Sequence, residues 1–341
     1  MLGENLSEDY KEKIAPGFCC LAITEKCMLK CKMCHKWQVD TFTENTPSIA
    51  QYKNFLANLR GLVSDDFIIH FGGGEALLFE GVLDLVSFCA EKGFRTNIAS
   101  NGWLIDEEMA MQIADSGLTE INLSLDSLDE DVDDYLRGVK GVYRRKMKAI
   151  DFLSKYCKNT RIGICSAIYD LNLDGILPLA DWVNNNDKID SIFFMAPMQP
   201  NNTPLDKTWW RGQYGFLWPK DSAKVCLIVD KLLELKASGR KIGGQNSQLE
   251  AFKLYFRCPE KFVKKTQCNL FRAIHVSAVG DIFLCFRWEI LGNIKKTDDI
   301  NHILNSEQAD AVRQKIVTCR DNCHFLLNCF FEGDYPFFLD K

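Results

Sequence analysis

The stretch FCCLAITEKCMLKCKMCHKW, residues 18–37, joins two patterns. Its first seven residues are short, apolar and partly β-branched, and read as a buried strand. Directly behind them Cys27, Cys31 and Cys34 follow in C-x3-C-x2-C spacing. Three thiols so close together at a strand end point to a metal. A structural zinc site takes four ligands, usually from two paired cysteine elements. The nearest fourth donor is His35, whose adjacency to Cys34 would strain a single chelate. An iron–sulfur cluster held by three cysteines leaves one iron open to bind a small molecule, as an open metal position does in catalytic sites generally.

Outward from this stretch, short apolar runs alternate with helical patterns. DFIIHFGG (66–73), RTNIASNG (95–102), EINLSLDS (120–127), TRIGICSAIY (160–169) and IDSIFFMAP (189–197) read as strands. Between them lie amphipathic segments: PSIAQYKNFLANLRGL (47–62) with Pro at its first turn, LLFEGVLDLVSFCAEKG (77–93), DEEMAMQIADSG (106–117), helices through 130–157, and DGILPLADWVNNN (174–186). Near-continuous apolar strands separated by such helices predict a parallel sheet covered by helices. Six β/α units fall short of the eight that close a full barrel. The predicted fold is therefore α/β, a partial (β/α)6 TIM-like barrel, with a doubly wound sheet as the alternative. Residues 198–220, rich in Pro, Asn, Gly and Trp, read as a long loop of the kind that forms lids or substrate contacts. DSAKVCLIVDKLLELKASG (221–239) reads as a helix capped by Asp221 and stopped at Gly239.

Hydrophobic residues make up 47% of the 341, enough for a sizeable core. A formal charge of −5 argues against a protein that grips phosphate backbones, so no nucleic-acid partner is expected. The basic run VYRRKMK (142–148) reads as the solvated face of a helix. No run of about 18 apolar residues is present and the polar start carries no signal-peptide core, so neither a membrane span nor export is expected. A cytoplasmic location follows. Fifteen cysteines in that setting imply metal or redox chemistry rather than a disulfide framework. Cys19, Cys20, Cys89, Cys157, Cys165 and Cys226 sit in apolar patterns and read as small buried hydrophobes.

The combination of motifs resembles the radical S-adenosylmethionine (SAM) enzymes. The resemblance covers roughly residues 18–197. It implies that Cys27, Cys31 and Cys34 hold a [4Fe–4S] cluster whose open iron chelates SAM. An electron from an external reductant of the flavodoxin or ferredoxin type then cleaves the sulfonium, and the resulting 5′-deoxyadenosyl radical removes hydrogen from a substrate. FGGGEALL (71–78) is similar to the family's GGE motif, which assigns Gly73, Gly74 and Glu75 to the cofactor's amino group. A backbone packed against a ligand needs residues without side chains, and an ammonium wants a carboxylate. ASNG (99–102) resembles the third-strand element and implicates Ser100 and Asn101. NLSLDS (122–127) resembles the fourth, placing Ser124 and Asp126 on one strand face. YLRG (135–138) matches the stretch that follows, with Arg137 as a carboxylate partner. Two departures stand out. Met33 replaces the usual aromatic that touches adenine, where a thioether also packs well, and Ala76 replaces the usual proline.

Six further cysteines crowd the tail: Cys258, Cys268, Cys285, Cys319, Cys323 and Cys329. CNLFRAIHVSAVGDIFLC (268–285) reads as a hairpin turning at Gly280-Asp281, which brings its terminal cysteines together. This order resembles the SPASM or shortened Twitch extension of the same enzymes, a small C-terminal α+β domain. It implies one auxiliary [4Fe–4S] cluster held by Cys268, Cys285 and two of Cys319, Cys323 and Cys329; a zinc ribbon is the alternative for the tail alone. The expected organisation is an N-terminal extension (1–17), the barrel with its loop (18–220), a connecting helical segment (221–257) and the auxiliary-cluster domain (258–341). Two substrate classes stand: a peptide or protein that is crosslinked, epimerised or oxidised, and a small sugar, nucleotide or amino-acid derivative. A non-enzymatic metal-binding protein is a third reading, which leaves GGGE and SLDS without a task.

Overall fold

A computed structural model describes residues 15–38, 45–204, 206–263, 268–296, 299–319 and 338–339. Six strands pair in parallel: β1 (Phe18–Thr24), β2 (Ile68–Gly73), β3 (Arg95–Ser100), β4 (Glu120–Ser124), β5 (Arg161–Ala167) and β6 (Ser191–Met195). The connections carry helices α1 (Ile49–Arg60), α2 (Val82–Glu91), α3 (Glu107–Asp115), α4 (Glu130–Arg137), α5 (Val142–Tyr156) and α6 (Ile176–Asn184). Spatial order follows sequence order from β1 to β6 without a reversal. A doubly wound sheet reverses at a switch point; this one winds in a single direction, as a partial barrel does.

Strand alternation sorts the two faces. In β1, Cys19, Leu21 and Ile23 are buried against the helices, while Cys20, Ala22 and Thr24 on the other face are half-buried. Small inner residues keep that interior open. A Cβ on Gly163 would lie 2.0 Å from the Asn122 amide oxygen, so only glycine lets Asn122 point inward there. Helix starts follow local chemistry. Ser48 caps α1 in a capping box with Gln51, so Pro47 precedes the cap rather than opening the first turn. Asp221 caps α7 (Ser222–Ala237) as expected, accepting from the Lys224 amide at 2.9 Å. Helix α8 (Asn246–Arg257) packs on α7.

The tail differs from a detached hairpin. Strand β7 (Phe262–Val263) pairs with β11 (Phe338–Leu339), apart from the main sheet among the described residues. Strand β8 (Ala273–Val276) adds in parallel to the free edge of β1, from Phe18↔Ala273 to Leu21↔Val276. Then β9 (Asp281–Phe283) and β10 (Gly292–Asn293) follow antiparallel, giving one sheet of order β10-β9-β8-β1-β2-β3-β4-β5-β6. The turn at Gly280 has φ +91°, a left-handed conformation that suits glycine. Ile274 and Ile282 of the tail join the same hydrophobic core as Leu21 and Ile69. Helices α9 (Ile300–Leu304) and α10 (Glu307–Thr318) follow β10.

In the 198–220 loop, Trp209 and Trp210 are buried and pack with Leu136, Tyr169 and Leu217. One expectation from composition is revised. In the basic run on α5, Arg144 is exposed, but Lys146 is fully buried against an aspartate on α4. No helix among the described residues is long and apolar enough to cross a membrane.

Candidate active site

The cysteine loop leaves the end of β1 and is gripped from two sides. On one side the Gly74 amide donates to the Thr24 carbonyl at 2.6 Å and the Glu75 amide to Lys26 at 2.8 Å. On the other, the Lys30 and Lys32 amides donate to the Arg137 and Leu136 carbonyls at 3.2 and 2.8 Å. Three glycines make this approach possible. A Cβ on Gly73, Gly74 or Gly138 would stand 2.1 Å from the carbonyl oxygen of Thr24, Lys26 or Lys30 respectively. The bare backbone of the GGE segment thus accommodates the cysteine loop itself. That contact is absent from the sequence-based expectation, which gave the glycines to a ligand. Within the loop, the Trp37 indole donates to the Cys34 carbonyl at 2.8 Å, and Lys36 pairs with Glu25 at 2.5 Å.

A cavity of about 380 Å³ opens at the C-terminal ends of the strands. Cys27, Cys31, Cys34 and Met33 line one side, and Gly73, Gly74, Glu75, Ser100, Asn101, Ser124, Asp126 and Arg137 line the floor and flanks. All twelve barrel positions singled out by motif therefore meet at one cavity. Among the described residues no three Cys, His, Asp or Glu side chains converge on a single-ion point; the three thiols edge a space instead. Tyr169, Cys165 and Met195 also line it. Motif reasoning missed Tyr169 and Met195 and took Cys165 for core. Their signal was the inward alternation at the ends of β5 and β6.

The polar residues are tightly held. Glu75, 1% exposed, accepts from the Ser100 hydroxyl at 2.9 Å and the Asn101 amide at 2.8 Å, with the Leu77 amide at 3.4 Å. Burial pushes its carboxyl up from the ordinary value, and those donors pull it partly back. The Asn101 side-chain amide reaches the Cys27 sulfur at 3.7 Å. Asp126 accepts from the Ala167 amide at 2.8 Å and pairs with the Arg137 guanidinium. Burial raises the Asp126 carboxyl and Arg137 lowers it. Arg137 is itself 9% exposed, and its Nε has no hydrogen-bond partner among the described residues. Burial pushes the Cys27 thiol up to about 11, and raises Cys31 against the pull of Arg137.

In the tail, register places Cys268 and Cys285 at the same end of the β8–β9 hairpin. His275 pairs with Phe283 and Val276 with Ile282, while Cys268 lies one 3-10 turn (Asn269–Arg272) before β8. Both are buried. Cys319 ends α10, which packs on that same turn, and Cys258 ends α8. Cys323 and Cys329 lie outside the described residues.

Residues 21–183 match the radical SAM superfamily, and residues 268–329 match an iron–sulfur cluster-binding domain of the SPASM type. The second match begins at Cys268 and ends at Cys329. The chain belongs to the radical SAM superfamily and carries a C-terminal SPASM cluster domain. Over 172 residues, 50% of this chain and 42% of the other, it is 30% identical to Fe-coproporphyrin III synthase of Methanosarcina barkeri. Over 130 residues, 38% and 33% of the two chains, it is 25% identical to PqqA peptide cyclase of Bradyrhizobium diazoefficiens. These matches span less than half the length of those curated relatives. Streptococcus suis SuiB, solved with S-adenosylmethionine, shares the fold with a TM-score of 0.66 at 17% identity, over 88% of this chain and 68% of that one. Membership implies a SAM-binding [4Fe–4S] cluster, SAM, and an auxiliary iron–sulfur cluster. The barrel residues fit the first two: three thiols edge one cavity, and a buried guanidinium beside Cys31 keeps an unused donor for an anion.

Proposed function

We propose that this protein is a radical SAM oxidoreductase that modifies a peptide or protein substrate by crosslinking, epimerisation or oxidation. Cys27, Cys31 and Cys34 hold the SAM-binding [4Fe–4S] cluster. Cys268 and Cys285, with two of Cys319, Cys323 and Cys329, hold an auxiliary one. The barrel (18–220), connecting helices (221–257) and cluster domain (258–341) divide the work accordingly. When bound, the open-iron cluster and SAM supply one-electron cleavage of the sulfonium, and so a radical able to abstract hydrogen; the electron comes from an external reductant.

The chain's own residues bind and orient. Glu75 is a fixed acceptor for the cofactor's ammonium, held by Ser100 and Asn101. Arg137 offers its spare Nε–H to the cofactor's carboxylate while Asp126 holds the guanidinium. Ser124 shares the inner face with Asp126. Met33 packs between the cavity and the Trp209–Trp210 cluster, where a thioether can cover adenine.

One observation carries the peptide reading. The cavity wall formed by Met195, Ala196, Met198, Gln199 and Asn201 has no charged side chain. Among the described residues the cations lining the cavity are Lys36, paired with Glu25, and Arg137, paired with Asp126 and left with one Nε–H that the cofactor's carboxylate takes. A phosphorylated or polycarboxylate substrate would leave its anions without partners there, at a cost of several kcal/mol per buried charge. Amides and thioethers instead suit an uncharged peptide segment. The alternative, a small metabolite, has the likeness to Fe-coproporphyrin III synthase in its favour.

The test is substrate-dependent SAM turnover by the anaerobically reconstituted, reduced protein. Short peptides encoded beside its gene should stimulate 5′-deoxyadenosine formation and change in mass. Stimulation by Fe-coproporphyrin III or a phosphorylated sugar, with none by any peptide, would overturn the peptide assignment.

A further inference from the structure

Behind the cavity lies a buried ion pair that is not part of its lining. Lys146 of α5 donates to Asp133 of α4 at 2.6 Å, and both side chains are 0% exposed. The other Asp133 oxygen accepts the backbone amide of Asp126 at 2.9 Å. Asp126 in turn holds Arg137 and the Ala167 amide, and its carbonyl accepts from the Asn172 side chain at 2.6 Å. Two cations and two anions thus form one buried group, with Asp126 and Arg137 at the cavity and Lys146 and Asp133 behind them.

Buried ion pairs are a weak source of stability, because desolvation offsets most of the attraction, and an apolar pair of similar volume serves a core as well. Their best-attested use is to fix one arrangement against its neighbours. Here what is fixed is the Asp126 peptide, and with it the aim of the Asp126 carboxylate and the Arg137 guanidinium. The aliphatic stem of Lys146 also backs the turn that carries Asn101: a Cβ on Gly102 would lie 3.3 Å from the Lys146 Cγ. Lys146 therefore supports two separate edges of the cavity floor.

We propose that Lys146 and Asp133 are positioning residues for SAM binding, acting through the Asp126 peptide on Arg137. The inference rests on the cofactor reading above and extends it to residues outside the cavity.

Three variants of the reconstituted, reduced protein separate positioning from stability, with SAM affinity read from the cofactor-induced change in the EPR spectrum of the barrel cluster. Lys146→Met strands the Asp133 carboxylate and should weaken affinity by about tenfold or more, with iron content retained. Asp133→Asn with Lys146→Met removes both charges and keeps an acceptor for the Asp126 amide; its affinity should return to within about threefold of wild type. Asp133→Ala with Lys146→Met also removes both charges but loses that acceptor, and should bind about tenfold more weakly than the Asn variant. Equal affinity in the two double variants overturns the proposal, even if Lys146→Met alone fails to fold. Lowered melting temperatures with wild-type affinity throughout overturn it as well. A wild-type spectrum that does not respond to SAM removes the cofactor reading, and this inference with it.

Discussion

The carboxylate of Glu75 already has three protein donors, which sharpens what its removal should do. Glu75→Ala deletes the acceptor for a cofactor ammonium, a charge-assisted contact of about 1.5–3 kcal/mol, so SAM affinity should fall roughly ten- to a hundredfold. It also unties Ser100 and Asn101, so the melting temperature should fall with it. Glu75→Gln keeps one acceptor oxygen and should lose less affinity. Cofactor titration of iron-replete protein decides: unchanged affinity with only a lower melting temperature would make Glu75 a tie between strand ends. Residues such as Glu75, Ser124 and Asp126 were legible in sequence because each sits in a short motif at a strand end. Lys146 and Asp133 were not. VYRRKMK reads as a solvated face and Asp133 stands in an acidic run outside any motif; only the packing of α4 on α5 shows that Asp133 and Lys146 are turned inward.

The β/α elements were readable from alternating apolar runs, and the observed strands fall inside the stretches that the pattern picked out. The grip on the cysteine loop was not, because it joins Lys30 to Gly138 through the backbone across more than a hundred residues. That grip makes a prediction about the segment. Gly138 has φ +70° as well as no room for a Cβ, so Gly138→Ala is strained twice. Relief requires moving the Lys30 carbonyl, and Cys31 moves with it. Iron bound by the barrel should drop while tail iron persists, measured as iron per chain in Gly138→Ala against Gly138→Ala lacking Cys268 and Cys285. A full iron complement in Gly138→Ala would show that the loop tolerates displacement. For the Trp-rich loop, composition marked a long loop of the kind that contacts substrates; it did not show that its two buried indoles pack on Leu136 and Tyr169.

At the scale of the molecule, β1 joins the two metal-binding regions: it carries the cysteine loop at its end and pairs with β2 on one edge and β8 on the other. The sequence marked the tail as a hairpin with cysteines at both ends, but pairing partners are long-range, so its docking on β1 could not be read there. Two clusters imply about eight irons in the anaerobic protein; zinc in the tail with only four irons would remove the auxiliary cluster. Single substitutions Cys268→Ala or Cys285→Ala should spare uncoupled SAM cleavage and stop product formation, because β8 stays in place. Truncation after Arg257 is a different perturbation. It strips β8 from β1 and exposes the edge from Phe18 to Leu21, with Cys19 and Leu21 losing cover from Ile274, Ile282 and their neighbours. A bare apolar edge is a template for pairing with other chains. The truncated chain should therefore aggregate and fail to hold even the barrel iron, although every barrel cysteine remains. Size-exclusion chromatography and iron content of residues 1–257 check this. A monomer that cleaves SAM as the Cys268→Ala protein does would show that β1 does not need its second neighbour.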